Sequence, residues 1–240
     1  MAPRRRICYA RRSAGQGRFT MTMARATLAA AALLALAGPA SAHPHMFVDT
    51  ELEAIFDAEG RLAAVRITWI YDELTTLMSV SDGGYDKDGD GALSEAEMQP
   101  LQGFDMEWGV DFLGDFQINR GEEKLALVPG PQDWTSAWRD GHLISTHVRR
   151  LVQPVVPGPE PLVLKPYDPG YYTAYAITGT PVVTGRRDCT AQVFEPDLSA
   201  AQKALAAALD EYSPDQSLEE MGYLMIGESY AEEVRLTCGG

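Results

Sequence analysis

The sequence predicts a mostly β, α+β domain in which antiparallel strands form a sandwich-like core with an inserted helix–loop–helix. Two observations favour this class. Short segments of alternating apolar and polar residues recur along the chain, separated by glycine, proline and aspartate turns. Helical patterns are few, and they lie in one insertion at about residues 72–108 and near the C-terminus.

Residues 1–42 are expected to be an export signal rather than part of the fold. They contain seven arginines and no acidic residue, and the alanine- and leucine-rich run 26–37 is too short to span a bilayer. Ala40-Ser41-Ala42 has the small-residue pattern of a cleavage site. The sequence therefore predicts Sec-type export to the periplasm, without stable membrane insertion after cleavage.

A compact signal would start at Met21 or Met23, which leaves residues 1–20 as an overlong leader or the product of a wrongly chosen start codon. Cleavage leaves residues 43–240 as one predicted domain of 198 residues. The seven arginines leave with the signal, so the formal charge changes from −14 to −21. This acidity argues against nucleic acid and anionic lipid as partners, and it favours cations.

Along the mature chain, residues 46–71 have the pattern of a hairpin with its turn at Asp57–Gly60. Later strands are predicted at 110–119, 124–128, 134–139, 143–152, 162–167, 171–178, 182–183, 189–194 and 230–238. Ser199 is expected to cap an alanine-rich helix to about Tyr212, followed by a second helix at 218–226. The proline-rich segment 154–161 is interpreted as a rigid loop between strands, with a domain linker as the alternative.

Two cysteines, Cys189 and Cys238, remain after Cys8 leaves with the signal. In an oxidising compartment they are expected to form a disulfide. Closing a loop of about 50 residues contributes on the order of 4 kcal/mol in the chain-entropy model. A two-thiolate metal site is the alternative, but there is no Cys-x-x-Cys spacing and no neighbouring histidine.

The segment 86–97 carries the clearest chemistry in the chain. Oxygen ligands recur on alternating residues around Gly91, which stands where the chain must bend sharply. The predicted ligands are the side chains of Asp86, Asp88 and Asp90, the carbonyl of Ala92, a water on Ser94 and the bidentate carboxylate of Glu97. This is the pattern of an EF-hand loop, which predicts calcium binding.

The alternative for this segment is a solvated acidic turn, but such a turn does not require Glu97 six residues after the glycine. The flanking helices are weak. Residues 74–80 provide two turns that Ser81-Asp82-Gly83-Gly84 is expected to interrupt, and Pro100 should end the exit helix early. We therefore expect one unpaired calcium loop inserted in another domain.

The predicted mature N-terminus begins His43-Pro44-His45. The free α-amine and two imidazoles favour a copper, zinc, nickel or cobalt site, and Pro44 excludes the square-planar peptide arrangement because it has no amide hydrogen. The alternative is a frayed terminus without a ligand. His142 and His147 lie five apart on a predicted strand and face opposite ways, so at most one of them can join.

The sequence carries none of the common catalytic motifs. The chain has no Gly-x-Ser-x-Gly, phosphate loop, His-Glu-x-x-His or dinucleotide fingerprint, and the acids outside 86–97 are too dispersed to nominate a catalytic pair. Asp168 is expected to form a turn. The tyrosines around it (Tyr167, Tyr171, Tyr172 and Tyr175) either line a pocket or pack as ordinary strand residues.

Several motifs together resemble one uncharacterised periplasmic family, named domain of unknown function number one thousand and seven. They are 43–49 with its His-Pro-His start, Thr68-Trp69-Ile-Tyr-Asp72, the acidic loop 86–91, Tyr167-Asp168-Pro169 and Cys189. The resemblance covers nearly all of the mature chain. It implies a periplasmic component of ABC-type transport, associated with nickel/cobalt or zinc, and it favours His43 and His45 as ligands.

Three functions follow as expectations. The first is a periplasmic metal-binding accessory or substrate-binding protein without catalytic residues, which binds calcium at 86–97 and a transition metal at His43 and His45. Its partner would be an inner-membrane metal transporter. The alternatives are a metal-dependent hydrolase with an open coordination position and a calcium-dependent interaction module.

Overall fold

The computed structural model describes residues 44–109, 112–210 and 225–239. These residues contain two β-sheets and a few short helices, which confirms a β-rich α+β domain. The strands are β1 (Met46–Phe56), β2 (Leu62–Tyr71), β3 (Phe116–Arg120), β4 (Glu123–Lys124), β5 (Gln132–Arg139), β6 (His142–Val155), β7 (Leu162–Pro166), β8 (Thr173–Ile177), β9 (Val182–Thr184), β10 (Cys189–Phe194) and β11 (Glu233–Cys238).

The helices flank the sheets. They are α1 (Glu73–Gly83), α2 (Glu95–Met98), α3 (Leu198–Asp210) and the short 3₁₀ turns Gln99–Leu101 and Gly227–Tyr230. Within the described residues, no helix is long and apolar enough to cross a membrane. The second C-terminal helix predicted at 218–226 falls mostly outside the described residues.

The first sheet has the strand order β5-β6-β2-β1-β8, and β9 also pairs with β1. The predicted hairpin of β1 and β2 is confirmed, with Thr50 opposite Trp69. Strands β8 and β9 run parallel to β1, unlike the antiparallel pairing expected from the sequence. The difference arises because the chain crosses to the second sheet before it returns to the free edge of β1.

The second sheet is antiparallel, in the order β10-β11-β7-β3-β4. Cys189 on β10 lies directly opposite Cys238 on β11, and the two form the predicted disulfide. The bridge therefore joins the last strand to its neighbour, and it closes a loop with a sequence separation of 49 residues.

One apolar cluster joins the two sheets. Val65 and Ile67 of β2 lie in the same cluster as Ile118 of β3 and Leu164 of β7, as a sandwich requires. The insertion that carries the acidic loop is anchored in the same cluster by buried apolar side chains. These are Leu93, Met98, Leu101 and Met106. The loop is therefore held against the sandwich by packing on its C-terminal side.

Two predicted strands are shorter than expected. The strand predicted at 110–119 begins only at Phe116, because Gly114 (φ 83°) and Asp115 (φ 45°) take left-handed conformations that end an extended run. The strand predicted at 124–128 is limited to β4, and Leu127 adds a single bridge to Leu151.

Candidate metal centre

The acidic loop lies between α1 and α2. Asp72 caps the start of α1, and its side chain accepts from the N–H of Thr75 (2.8 Å). The helix continues through Ser81 and Asp82, where the sequence had indicated an interruption, and ends at Gly84 (φ 60°), whose N–H caps it. Helix α2 ends after one turn before Pro100, as predicted.

Three carboxylates converge at the centre of the loop. Asp86, Asp88 and Glu97 each offer an oxygen, and these oxygens lie within 4.8 Å of one another. Two oxygens bound to one Ca²⁺ can lie at most about 5 Å apart, because each Ca–O distance is about 2.3–2.6 Å. The three carboxylates therefore lie close enough for one cation to contact all of them.

Backbone N–H groups hold Asp86 in place. Its Oδ1 accepts from Gly89 (2.9 Å) and Asp90 (3.2 Å), and its Oδ2 accepts from Gly91 (3.0 Å). Gly89 and Gly91 have φ values of 73° and 80°, which glycine adopts without steric cost. The backbone of the turn thus holds the Asp86 carboxylate through its own hydrogen bonds.

Glu97 closes the loop from the start of α2. It is only 7 % exposed, and Ser94 and Glu97 form a reciprocal capping box at the start of the helix. The Ser94 hydroxyl (2.7 Å) and the N–H groups of Lys87 (2.7 Å) and Ser94 (3.0 Å) donate to its carboxylate. These donors lower the pKa of Glu97 to about 2, so its carboxylate is ionised at neutral pH.

The other predicted ligands differ from the expected arrangement. Asp90 is not in the converging group, and its Oδ1 accepts from the N–H of Ala92 (2.8 Å). The hydroxyl of Ser94 donates to Glu97 instead of facing the centre through a water. Leu93 is buried beneath the loop, as its place in the motif requires.

Closer to the N-terminus, His43 lies outside the described residues. His45 is described, and it is exposed at the start of the first sheet. The N–H of His45 donates to the carbonyl of Tyr172 (2.8 Å), and the two rings lie 4.8 Å apart. His45 lines a cleft of about 570 Å³ together with Asp49, Asp72 and His142. The structure therefore brings His142, on β6, to the cleft of the N-terminal histidine.

The ring of His142 is held by a backbone carbonyl. Its Nδ1 lies 2.8 Å from the carbonyl oxygen of Tyr71. When Nδ1 carries the proton, this hydrogen bond leaves Nε2 available, which is the usual arrangement behind a metal-bound histidine. Asp72 in the same cleft accepts hydrogen bonds from the N–H groups of Phe47 and Thr75.

The chain matches a known protein family. The family described as "Protein of unknown function (DUF1007)" matches residues 28–238, which is most of the chain. The chain belongs to the DUF1007 family. No curated protein matches it. In this DUF1007 member, the acidic loop and the His45 cleft both lie within the matched range.

His147 does not line the His45 cleft of this DUF1007 member. Its side chain is fully buried between the indole rings of Trp69 (4.5 Å) and Trp108 (5.2 Å). Burial, with the nearby charge of Arg149, lowers the pKa of His147 to about 3, so the ring is neutral at neutral pH. The prediction that His142 and His147 face opposite ways is confirmed.

Two partly buried acids have no signal in the sequence. Asp105 accepts from Tyr71 Oη (2.7 Å) and Ser145 Oγ (3.0 Å), and burial still raises its pKa. Asp115 accepts from Tyr175 Oη (2.8 Å), and burial raises its pKa to about 7. Neither acid stands in a recognisable motif, because their environments come from strands distant in sequence.

The tyrosine-rich segment contains both the expected turn and a pocket. Asp168 accepts from the N–H groups of Gly170 (2.8 Å), Tyr172 (2.8 Å) and Thr173 (3.0 Å), which confirms the turn. Tyr167 and Tyr172 line a pocket of about 570 Å³, whereas Tyr171 stacks on Tyr230 (4.8 Å) and Tyr175 bonds to Asp115.

Proposed function

We propose that this protein binds calcium in the loop 86–97 and acts outside the cytoplasm as a metal-binding accessory or substrate-binding protein linked to metal transport. The observation that carries the calcium proposal is the convergence of Asp86, Asp88 and Glu97 within 4.8 Å. The proposal concerns binding rather than catalysis, with an inner-membrane metal transporter as the partner.

The charge of the loop supports a dication. Close carboxylates repel one another, and a 2+ ion at their centre replaces that repulsion by attraction. The hydrogen bonds to Asp86 and Glu97 already fix two of the three ligands, so binding orders few additional groups. Oxygen-only ligands of irregular geometry suit calcium better than transition metals or magnesium.

We propose that calcium is a structural brace and not a switch. Extracellular calcium modules bind with Kd values of about 10⁻⁴–10⁻³ M. Calcium at about ten times such a Kd adds about 1.4 kcal/mol to the free energy of unfolding. That is enough to order a loop, but it is small beside the packing of a sandwich core.

Thermal unfolding with calcium and with chelator tests the proposal. Calcium should raise the Tm of the mature protein by about 3–6 °C, and Asp86→Asn and Glu97→Gln should abolish that shift. Asp82→Asn is the matched control, because Asp82 is an exposed acid just before the loop and should leave the shift intact. A wild-type melt that is the same with calcium and chelator would show that the loop does not bind the ion.

A second candidate function is supported by His45 and His142, which line one cleft. We propose that these imidazoles, with His43 and the α-amine of the mature terminus, bind zinc, nickel, cobalt or copper. Imidazole and amine nitrogens suit these ions, and the hydrogen bond of His142 to Tyr71 orients its ring. The metal would be the transported cargo, distinct from the structural calcium.

Calorimetric titration of the four ions into the processed protein tests this site. His45→Ala, His142→Ala and an additional glycine before His43 should each weaken binding by about tenfold or more, because each removes or displaces a ligand. His147→Phe is the control, since His147 is enclosed by two tryptophans. Unchanged affinity in all three altered forms would exclude the cleft.

A further inference from the structure

Arg149 is a buried cation whose described neighbours include no counterion. It lies on β6, two residues after His147, and is only 3 % exposed. Its Nε and Nη1 have no hydrogen-bond partner, and Nη2 is 3.5 Å from the carbonyl of Val128, which is a weak contact. In the described part of the chain, no carboxylate forms an ion pair with it.

The guanidinium is held rigidly. It stacks over the indole of Trp108 at 4.8 Å from the ring centroid. Gly114 lies beside both groups, so closely that an added Cβ would be 2.5 Å from Nη1 and from the Trp108 ring. Burial lowers the pKa of Arg149 to about 10, so it still carries its charge at neutral pH.

Arg149 lines a cavity of about 590 Å³. The other walls are mainly apolar and come from β3 and its flanking segments, and they include Phe112, Phe116, Ile118, Leu125 and Leu127. The exposed side chains of Phe112 and Leu113 stand at the rim, where an apolar molecule can enter. Cavities of about 300–1,000 Å³ with apolar walls and one oriented polar group are typical of small-molecule sites.

A buried charge normally has a partner, because desolvation without compensation is costly. Water can satisfy single donors, but this cavity is far larger than one water molecule and its walls are apolar. A guanidinium is a permanent cation that matches a carboxylate, because the two groups form charge-assisted hydrogen bonds. The remaining walls match a hydrocarbon or aromatic body.

We infer that Arg149 and the apolar cavity around it form a binding site for a small organic monocarboxylate with an apolar body. The carboxylate lies beside the Arg149 guanidinium, where that side chain lines the cavity, and the body packs between β3 and the segment 125–127. This site shares no residue with the acidic loop or the His45 cleft. It therefore does not depend on the metal proposals.

Calorimetric titration of the full mature protein with octanoate tests the inference, with 1-octanol and acetate as comparison probes. Octanoate should bind, and the other two should bind at least about tenfold more weakly, since each lacks one half of the recognised chemistry. Arg149→Met should reduce octanoate binding to the level of 1-octanol, and Arg149→Lys should restore part of it. Equal binding of octanoate and 1-octanol by the wild type would overturn the assignment.

Arg150→Met is the matched control, because Arg150 is the next residue, exposed, and paired with Asp133. It should bind octanoate as the wild type does. Arg149→Met should keep the circular dichroism spectrum and calcium response of the wild type, so lost binding cannot be attributed to unfolding. Asp111 lies outside the described residues and directly precedes Phe112 of the cavity wall in the sequence, so it is an acid to exclude. If octanoate bound only after Asp111→Asn, the chain would supply its own counterion and the inference would be wrong.

Discussion

Glu97 in the acidic loop and Asp115 between the sheets are both hydrogen-bonded carboxylates, but their pKa values move in opposite directions. The pKa of Glu97 is lowered to about 2, because the Ser94 hydroxyl and two backbone N–H groups donate to it. The pKa of Asp115 is raised to about 7, because burial outweighs its hydrogen bond from Tyr175, and the charge of Asp168 raises it further.

Glu97 and Asp115 differ in how many hydrogen-bond donors surround the carboxylate. The loop surrounds its carboxylates with donors from residues a few positions away, so the charges persist and can hold a cation. At Asp115 burial outweighs a single hydrogen bond, so the acid stays partly protonated, and Arg149 has no counterion among the described residues. The two regions should respond differently to substitution.

The largest expected effect in this comparison is at Asp115. Its folded-state pKa lies above the unfolded value of 3.8, so the folded state binds the proton more tightly. The protein should therefore lose stability as the pH rises from about 4 to about 7. Asp115→Asn, which keeps an acceptor for Tyr175 and tolerates φ 45°, should raise the free energy of unfolding at pH 8 by on the order of 3 kcal/mol.

Urea denaturation of Asp115→Asn at several pH values between 4 and 8 measures this effect. Asp140→Asn is the control, because Asp140 has a similar left-handed backbone (φ 53°) but is exposed. If Asp115→Asn and the wild type lost the same stability over this range, the pH dependence would originate elsewhere.

A smaller effect is expected in the loop. Ser94→Ala removes the hydroxyl that caps α2 and donates to Glu97, and it should lower the free energy of unfolding in chelator by about 1 kcal/mol. It should also reduce the calcium-dependent rise in Tm, because Glu97 loses part of its orientation. Scanning calorimetry with calcium and with chelator measures both quantities.

Ser81→Ala is the control for this substitution, since Ser81 is exposed in α1 and borders the same loop. Its effect should stay within about 0.5 kcal/mol. A calcium response in Ser94→Ala equal to that of the wild type would show that the capping box does not position Glu97 for the ion.

The acidic loop could be predicted from sequence because its hydrogen bonds join residues of one short segment, at most ten positions apart. The positions of Asp86, Asp88 and Glu97 follow from their spacing and from the glycines between them. The orientation of Asp90 could not be predicted, because its carboxylate can accept from Ala92 as readily as it can face the centre. The continuation of α1 through Ser81 was also missed, since it depends on the Gly84 cap.

The features between the sheets were harder to predict from the sequence. The alternation along β6 places Ser145, His147 and Arg149 on one face, but Ile144 and Val148 on the other face are buried too. Period-two patterning therefore could not show which face encloses a cavity. The parallel pairing of β8 with β1 was missed for a related reason, since it depends on the route of the chain between sheets.

By itself the sequence determined the β-rich class, the β1–β2 hairpin, the Cys189–Cys238 pair and the acidic loop, because spacing, turn chemistry and cysteine count act over short stretches or leave one pairing. Only the tertiary structure decided that His142 joins His45 and that Arg149 lines an apolar cavity. Burial and proximity of this kind arise when distant strands pack together, and no local pattern encodes which side chains then meet.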